Sequence, residues 1–407
     1  MRAYERLMEY VRIPTPSNEK STSHPSSQCQ FDLARKLTEE LTELGAVDVR
    51  MDEHCYVYAK IPASKGCENN TRLGFIAHMD TVSDFTDHAT VPVLHPEYNG
   101  EDLKLGESGR VLETSVFPHL SGLKGRTLIT SDGTTILGAD DKAGIAEIMT
   151  MVEELNRRNI PHGQISIGFT PDEEVGQGAD LFDVSGFGAD YAYTVDGGAE
   201  GEIEYENFNA SEARVKITGF NVHPGSAKNT MVNAVEVACE IQSLLPADEN
   251  PRYTDGYEGF YHLTEMKGDV ASAEMSYIIR DHDAEKFAAK EEYFRKTAEK
   301  MNAKYGEGTV KVEIREEYRN MAEKIRPCIH LIENAEKAAV KAGIEPKTLP
   351  IRGGTDGARL SYMGLPCPNL GTGGYAYHGP YEHITVEGMD LTVELLLELI
   401  MIYSKSM

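Results

Sequence analysis

Basic charge is scarce in this chain of 407 residues, where 40 lysines and arginines stand against 66 aspartates and glutamates, a net charge of −26. Nucleic acids and anionic membrane surfaces both select for basic patches, so a partner of either kind is not expected. Cysteine is sparse as well. The six residues Cys29, Cys55, Cys67, Cys239, Cys328 and Cys367 are scattered without a C-x-x-C pair. That spacing argues against a disulfide framework or a thiolate metal site. A long hydrophobic run is also missing. The most apolar stretch, residues 391–403, is short and carries Glu394 and Glu398, so a packed helix is expected there and not a membrane span. Met1-Arg2-Ala3-Tyr4-Glu5-Arg6 places charges where a secretory leader needs an apolar core, and a cytoplasmic location is the expectation.

What is present is an ordinary globular composition, 40% hydrophobic, in a chain long enough for two domains. Five stretches share one design. Leu73-Gly74-Phe75-Ile76-Ala77 runs into His78-Met79-Asp80. Thr134-Thr135-Ile136-Leu137-Gly138 runs into Ala139-Asp140-Asp141. Ile165-Ser166-Ile167-Gly168-Phe169-Thr170 runs into Pro171-Asp172-Glu173-Glu174, and Tyr191-Ala192-Tyr193-Thr194-Val195 into Asp196. Leu370-Gly371-Thr372-Gly373-Gly374 runs into Tyr375-Ala376-Tyr377-His378. Short apolar runs bounded by turn residues read as buried strands. If they lie parallel, their carboxyl ends share the edge of one sheet, where ligands collect in α/β proteins. Any single aspartate here could be a helix cap. Five endings of metal-ligand type are hard to explain that way.

The order of elements predicts two bodies. Alternating helix and strand up to about residue 206 is the grammar of a mostly parallel sheet flanked by helices. Residues 207–318 read β-α-β-β-α-β, the order of a ferredoxin-like α+β insert. The first grammar returns over 319–407. The catalytic domain is therefore expected in two segments, 1–206 and 319–407, with 207–318 as an inserted lid and a cleft between the bodies suited to a substrate. Residues 83–131 form a long excursion with no strong pattern and no assigned role.

His78 and Asp80 stand two apart, so on a strand both side chains point to one face. One can bind a metal while the other orients the imidazole. Asp140, Glu174 and Asp196 add carboxylates, and His378 a second imidazole. That set exceeds one tetrahedral zinc with an open position. It fits two ions about 3.5–4 Å apart with a bridging carboxylate. Nitrogen and oxygen donors suit zinc, with cobalt or manganese as substitutes. Glu173 would stay free as a general base. His383 offers a second imidazole close to His378, and His378 is preferred for its place after the glycine-rich run.

His78-Met79-Asp80, Gly138-Ala139-Asp140-Asp141-Lys142, Asp172-Glu173-Glu174, Val195-Asp196 and His378 followed by Glu382 resemble the dizinc metallopeptidase family of aminopeptidases, carboxypeptidases, dipeptidases and aminoacylases. Asn221-Val222-His223-Pro224-Gly225, residues 256–263 and Ile351-Arg352-Gly353-Gly354-Thr355-Asp356-Gly357 resemble its tripeptide aminopeptidases. The resemblance spans essentially the whole chain. It implies that Asp140 bridges two zinc ions, with His78 and Asp196 on one and Glu174 and His378 on the other. It further implies that Asp80 supports His78, that Glu173 is the catalytic acid and base, and that the Asp140–Asp141 peptide is cis. His223 would reach the oxyanion, and Asn233, Arg280 and Arg352 would bind the substrate. Without the resemblance, His223 is a turn residue, Arg280 a partner for Asp281 or Asp283, and Arg352 a tether for its loop. The expected function is removal of the N-terminal residue from tripeptides. The alternative is a dipeptidase, carboxypeptidase or N-deacylase of the same family. The expected partner is a small peptide substrate, and a homodimer is compatible with the sequence.

Overall fold

The computed structural model describes residues 1–86 and 88–405. The chain divides into two compact units. The first comprises Met1–Tyr205, Glu323–Leu349 and Thr355–Met407, and the second Glu206–Ala322 and Pro350–Gly354. The short segment 350–354 thus joins the second unit, from outside the 207–318 span expected for the insert.

The first unit is built on an eight-stranded sheet. At its centre Ile165–Thr170, Leu73–His78, Tyr191–Val195 and Asn369–Leu370 run side by side and parallel. Val57–Ile61 and Val47–Met51 add antiparallel strands at one edge, and Glu202–Glu204 pairs antiparallel with Asn369–Leu370 on the other side. The sheet is therefore mixed, with its parallel part in the middle. That centre is buried on both faces, which explains the unbroken apolar runs. Alternate residues serve opposite layers. Ile76 and Ala192 pack with Tyr56, Tyr58, Phe182, Phe187 and Leu360. Phe75 and Tyr193 stack on the other face with ring centroids 6.3 Å apart. There the Tyr193 hydroxyl donates to the Leu331 carbonyl at 2.9 Å, which ties the sheet to the helix His330–Ala342.

One expected strand is absent, and another is split between Asn369–Leu370 in the main sheet and Gly374–Tyr375 in a smaller one. Residues 132–138 form a loop, and the preceding strand Leu128–Ser131 belongs to a different sheet. That sheet has four strands and joins Pro92–His95, Leu128–Ser131, His383–Thr385 and Gly374–Tyr375. His378 consequently lies in a loop with positive φ, not at the end of a main-sheet strand. The excursion at 83–131 is folded, since Tyr98, Leu105, Leu112, Leu120, Leu123 and Leu128 form a core of their own, joined by Phe117, Tyr375 and Tyr381. Val184–Phe187 forms a short helical turn. The terminal stretch is a packed helix, Val386–Ser404. Among the described residues no helix is long and apolar enough to cross a membrane.

The second unit has the order β-α-β-β-α-β, with strands Asn209–Thr218, Phe260–Gly268, Ser272–Asp281 and Val310–Tyr318 and helices Ala234–Leu244 and Ala284–Tyr305. All its strand pairs are antiparallel. Its core places Val215, Ile217, Met275, Tyr277 and Ile279 against Val237, Ile241, Phe294 and Met301 of the two helices. The helix Ala234–Leu244 begins at Ala234 because the side chain of Asn233 accepts from the Val235 N–H and caps it.

His383 is buried within the small sheet, with its Nε2 2.9 Å from Nε2 of His119 and its Nδ1 2.8 Å from the Tyr381 carbonyl. Burial, and then repulsion from His119, push its pKa down to about 4. The unfolded chain takes up a proton near pH 6.5 and the folded chain does not. Stability contributed by the neutral ring is therefore present above about pH 6.5 and lost as pH falls toward 4, by up to about 3 kcal/mol. Denaturant unfolding between pH 7 and 4 should show this loss, and His383→Asn should flatten it.

Candidate metal centre

The parallel strands bring three of the singled-out segments to one edge. His78 ends its strand, Thr170 lies beside it in register, and Asp196 follows the strand Tyr191–Val195. Asp140 arrives from the non-helical start of the helix Ala139–Arg158, and His378 from the loop after the small sheet's strand Gly374–Tyr375. Gly138 has a φ of +77°, which lets the chain turn into the site. Asp140 and Asp141 have non-helical backbone angles, and the peptide between them is cis.

Asp140 presents one carboxylate oxygen to each imidazole. Its Oδ1 lies 3.0 Å from Nε2 of His78, and its Oδ2 lies 3.3 Å from Nε2 of His378. Asp196 Oδ1 stands 3.5 Å from the same nitrogen of His78, and Glu174 Oε2 stands 3.2 Å from that of His378. All five expected ligands are thus together. His383 is not among them, because its ring is occupied by His119 and Tyr381.

The donor set fits cations. Nδ1 of His78 lies 3.0 Å from the Asp80 carbonyl and must donate to it, because a carbonyl only accepts. In the neutral ring, Nε2 then turns a lone pair toward the carboxylate oxygens of Asp140 and Asp196. Those are also acceptors, so a cation or a proton has to lie between them. Glu174 Oε1 is buried and finds no hydrogen-bond partner among the described residues, a deficit that a metal ligand does not have.

Without a cation, protons would take that place. Burial opposes charge on His78, but Asp196, Asp140 and Asp80 outweigh it and hold the pKa well up. Hydrogen bonds to Asp140 and Glu174 raise His378 to about 11. Burial opposes the charge on Asp140, yet the two imidazoles keep its pKa low. Burial raises both Asp196 and Glu174.

The segments around the ligands grip one another. Asp80 accepts from the N–H groups of Glu173 and Glu174 at 2.9 and 3.1 Å, and its Oδ1 is 3.4 Å from Nδ1 of His78. It therefore fixes the turn carrying Glu173 and Glu174 as well as the imidazole. Asp141 accepts from the His78 and Gly144 N–H groups at 3.1 and 3.2 Å, and one of its carboxylate oxygens also lies within 4.8 Å of ligand atoms of His78 and Asp196. Asp172 has a φ of +57° and is fully buried. It accepts from the Ser26 N–H at 2.6 Å, the Ser26 hydroxyl at 2.5 Å and the Gln30 side chain at 2.7 Å. Glu173, the next residue, has its pKa pushed well up, first by burial and also by Asp196, Asp356 and Glu174, against the pull of His78. Sequence reasoning gave no role to Asp141, Asp172 or Asp356. Asp356 is a buried carboxyl 2.7 Å from the Thr170 hydroxyl, raised by burial to about 7.

The other singled-out residues belong to the second unit. His223 accepts from the Gly225 N–H through Nδ1 at 3.1 Å, so its neutral ring carries the proton on Nε2 and is a donor there. Arg280 donates to the Arg352 carbonyl at 2.9 Å. The Arg352 guanidinium holds the Gly256 and Glu258 carbonyls at 2.7 and 3.2 Å and Thr254 Oγ1 at 3.1 Å. It tethers a loop and does not project freely.

Because both imidazoles hold protons in the cation-free site at neutral pH, metal uptake should release on the order of two protons per chain. Titration calorimetry in buffers of different ionisation enthalpy measures that number, and affinity should weaken as pH falls.

The chain is similar to known proteins. The profile of Peptidase family M20/M25/M40 matches residues 133–402. Peptidase T of Clostridium perfringens (strain 13 / Type A) is 52% identical over 406 residues, 99% of each chain. The crystal structure of aminopeptidase PepT from Bacillus cereus superposes with a TM-score of 0.79 at 25% identity, over 99% of this chain and 98% of that one. The fold also matches YXEP of Bacillus subtilis, a dinuclear metal-binding peptidase of family M20, with a TM-score of 0.66 at 17% identity over 100% of this chain and 98% of that one. With the profile covering most of the chain and the identity running its whole length, this protein belongs to peptidase family M20/M25/M40.

Proposed function

We propose that this protein is a metal-dependent aminopeptidase that removes the N-terminal residue from tripeptides, working in the cytoplasm with two zinc ions per chain. The observation that carries the reading is the two-sided carboxylate of Asp140, with His78 facing one oxygen and His378 the other. His78 and Asp196 would hold one ion, Glu174 and His378 the second, and Asp140 both. Zinc is favoured by two imidazole nitrogens among carboxylate oxygens. When bound, the ions polarise a peptide carbonyl and bring the pKa of a water toward neutrality.

The protein's own groups do the rest. Glu173 takes the proton from the attacking water and passes it to the departing amine. Its carboxyl is buried but has no role as a ligand in this scheme, and Asp80 fixes the backbone beneath it. His223, a donor at Nε2, is assigned to the oxyanion that forms as the carbonyl is attacked. Asn233 and Arg280 are assigned to the substrate, with Arg352 holding the loop at residues 254–258 in place. The unit around residues 207–318 is read as a lid on a catalytic domain of two segments, 1–206 and 319–407.

Two measurements test the reading. Glu173→Gln should retain both ions and lower kcat by about 10²- to 10⁴-fold, the usual worth of a general base. Near-normal turnover would remove Glu173 from the mechanism. The purified enzyme should release an amino acid and a dipeptide from a free tripeptide, lose this activity to a chelator, and act poorly on the N-acetylated tripeptide. Preference for the dipeptide would indicate a dipeptidase. Preference for the acetylated form would indicate a carboxypeptidase or deacylase on the same site.

A further inference from the structure

The loop that carries His378 also carries one acidic residue, Glu382. Glu382 is 1% exposed. Its Oε2 accepts from the Gly138 N–H at 2.7 Å, and its Oε1 accepts from the Asp140 N–H at 2.9 Å. Both donors belong to a stretch that is not yet helical and has no carbonyl partner in a preceding turn. Buried N–H groups need an acceptor, and a carboxylate serving two of them is a strong one.

The counter-charge is local. Lys142 is 2% exposed, and its ammonium donates to the Ile13 carbonyl at 2.8 Å. A Cβ placed on Gly138 would lie 3.9 Å from that ammonium, so the cation sits beside the peptide that Glu382 grips. The Glu382 carboxyl and the Lys142 ammonium attract each other across this buried space.

The gripping residue and the ligand are joined by a short turn. The Glu382 N–H donates to the Gly379 carbonyl at 3.1 Å, closing residues 379–382 directly after His378. On its other side the same loop is fastened to the segment after Asp196. The Thr372 and Gly373 N–H groups donate to the Gly197 and Gly198 carbonyls at 2.8 and 2.9 Å, and the Tyr377 hydroxyl donates to the Gly198 carbonyl at 3.1 Å. Beside the direct 3.3 Å contact of Asp140 Oδ2 with His378 Nε2, the separation of the two segments is thus held through Glu382.

We propose that Glu382 is a positioning residue for the second cation, fixing the distance between the bridging carboxylate of Asp140 and the imidazole of His378 by holding the Gly138 and Asp140 N–H groups. This rests on the dinuclear reading of the site. Glu382 touches neither substrate nor cation. Its loss acts on the Asp140–Glu174–His378 side from two directions, because it frees the bridging residue and the His378 loop together. The His78–Asp196 side is affected only through Asp140.

Glu382→Gln tests this. It keeps the size of the side chain but replaces one accepting oxygen with an NH₂ group that faces an N–H donor. Zinc binding to the metal-free wild-type and variant proteins is followed by calorimetry, and anomalous diffraction locates the ion retained at limiting zinc. The expected result is two binding steps in the wild type. In the variant the second step should weaken by about 10- to 100-fold, the range found when groups supporting metal ligands are removed. The ion retained should be the one at His78 and Asp196, and circular dichroism should be unchanged. If Gln at this position prevents folding, Glu382→Asp serves. Its shorter side chain keeps the charge and cannot span both N–H groups, so the same selective weakening is expected. Unchanged affinities, or equal weakening of both steps, would overturn the proposal while leaving the dinuclear reading in place. A wild-type protein that binds no zinc, cobalt or manganese would overturn both.

Discussion

Crowding of like charge is the constraint on which the rest of this structure depends. Asp140, Asp141, Glu173, Glu174, Asp196, Asp356 and Glu382 lie in one part of the first unit, and burial raises the pKa of six of the seven. Asp140 alone is held low, and it is the one that faces two imidazoles. A core cannot hold so many carboxyls unless each is given a proton, a cation or a set of N–H donors. The fold divides them among these solutions. Those that face inward meet imidazoles and cations, and those that face outward accept from backbone.

The division has an order. Asp141, beside the bridging Asp140, holds the backbone of His78. Asp80, two residues beyond His78, holds the backbone of Glu173 and Glu174. Glu382, shortly after His378, holds the backbone of Asp140. Three of the five ligand segments thus carry a carboxylate that anchors a different ligand segment. The acidic residues next to the ligands accept from backbone N–H groups. They convert separate strand ends into one frame, and an error at one position is passed to the next.

Parts of this were legible from sequence and parts were not, for physical reasons. The apolar runs before His78, Asp172 and Asp196 are buried on both faces of a parallel sheet, so their composition gave them away. The run before Asp140 carries similar residues but is a loop, because the neighbouring strand Leu128–Ser131 pairs with residues 92–95 and 383–385. Those partners are distant in sequence, and strands of two to four residues have too short a period to announce themselves. The excursion at 83–131 was opaque for the same reason. The five proposed metal ligands were visible as side-chain types at strand and helix ends. The work of Asp141, Asp172 and Glu382 was not, since accepting a backbone N–H leaves no spacing rule. His383 could be set aside only once His119 was seen against it.

The small sheet made from residues 92–131 and 374–385 has a consequence for how the enzyme comes into being. The ligands are spread along the chain from His78 to His378, and the last of them enters through a strand pair that cannot form until the C-terminal region exists. A ribosome-bound chain could fold its parallel centre and display His78, Asp140, Glu174 and Asp196, yet it would lack both His378 and the Glu382 grip. Such a chain is an incomplete chelator with no fixed second position. The five-residue set is therefore complete only once the segment that pairs Gly374–Tyr375 with His383–Thr385 has been made.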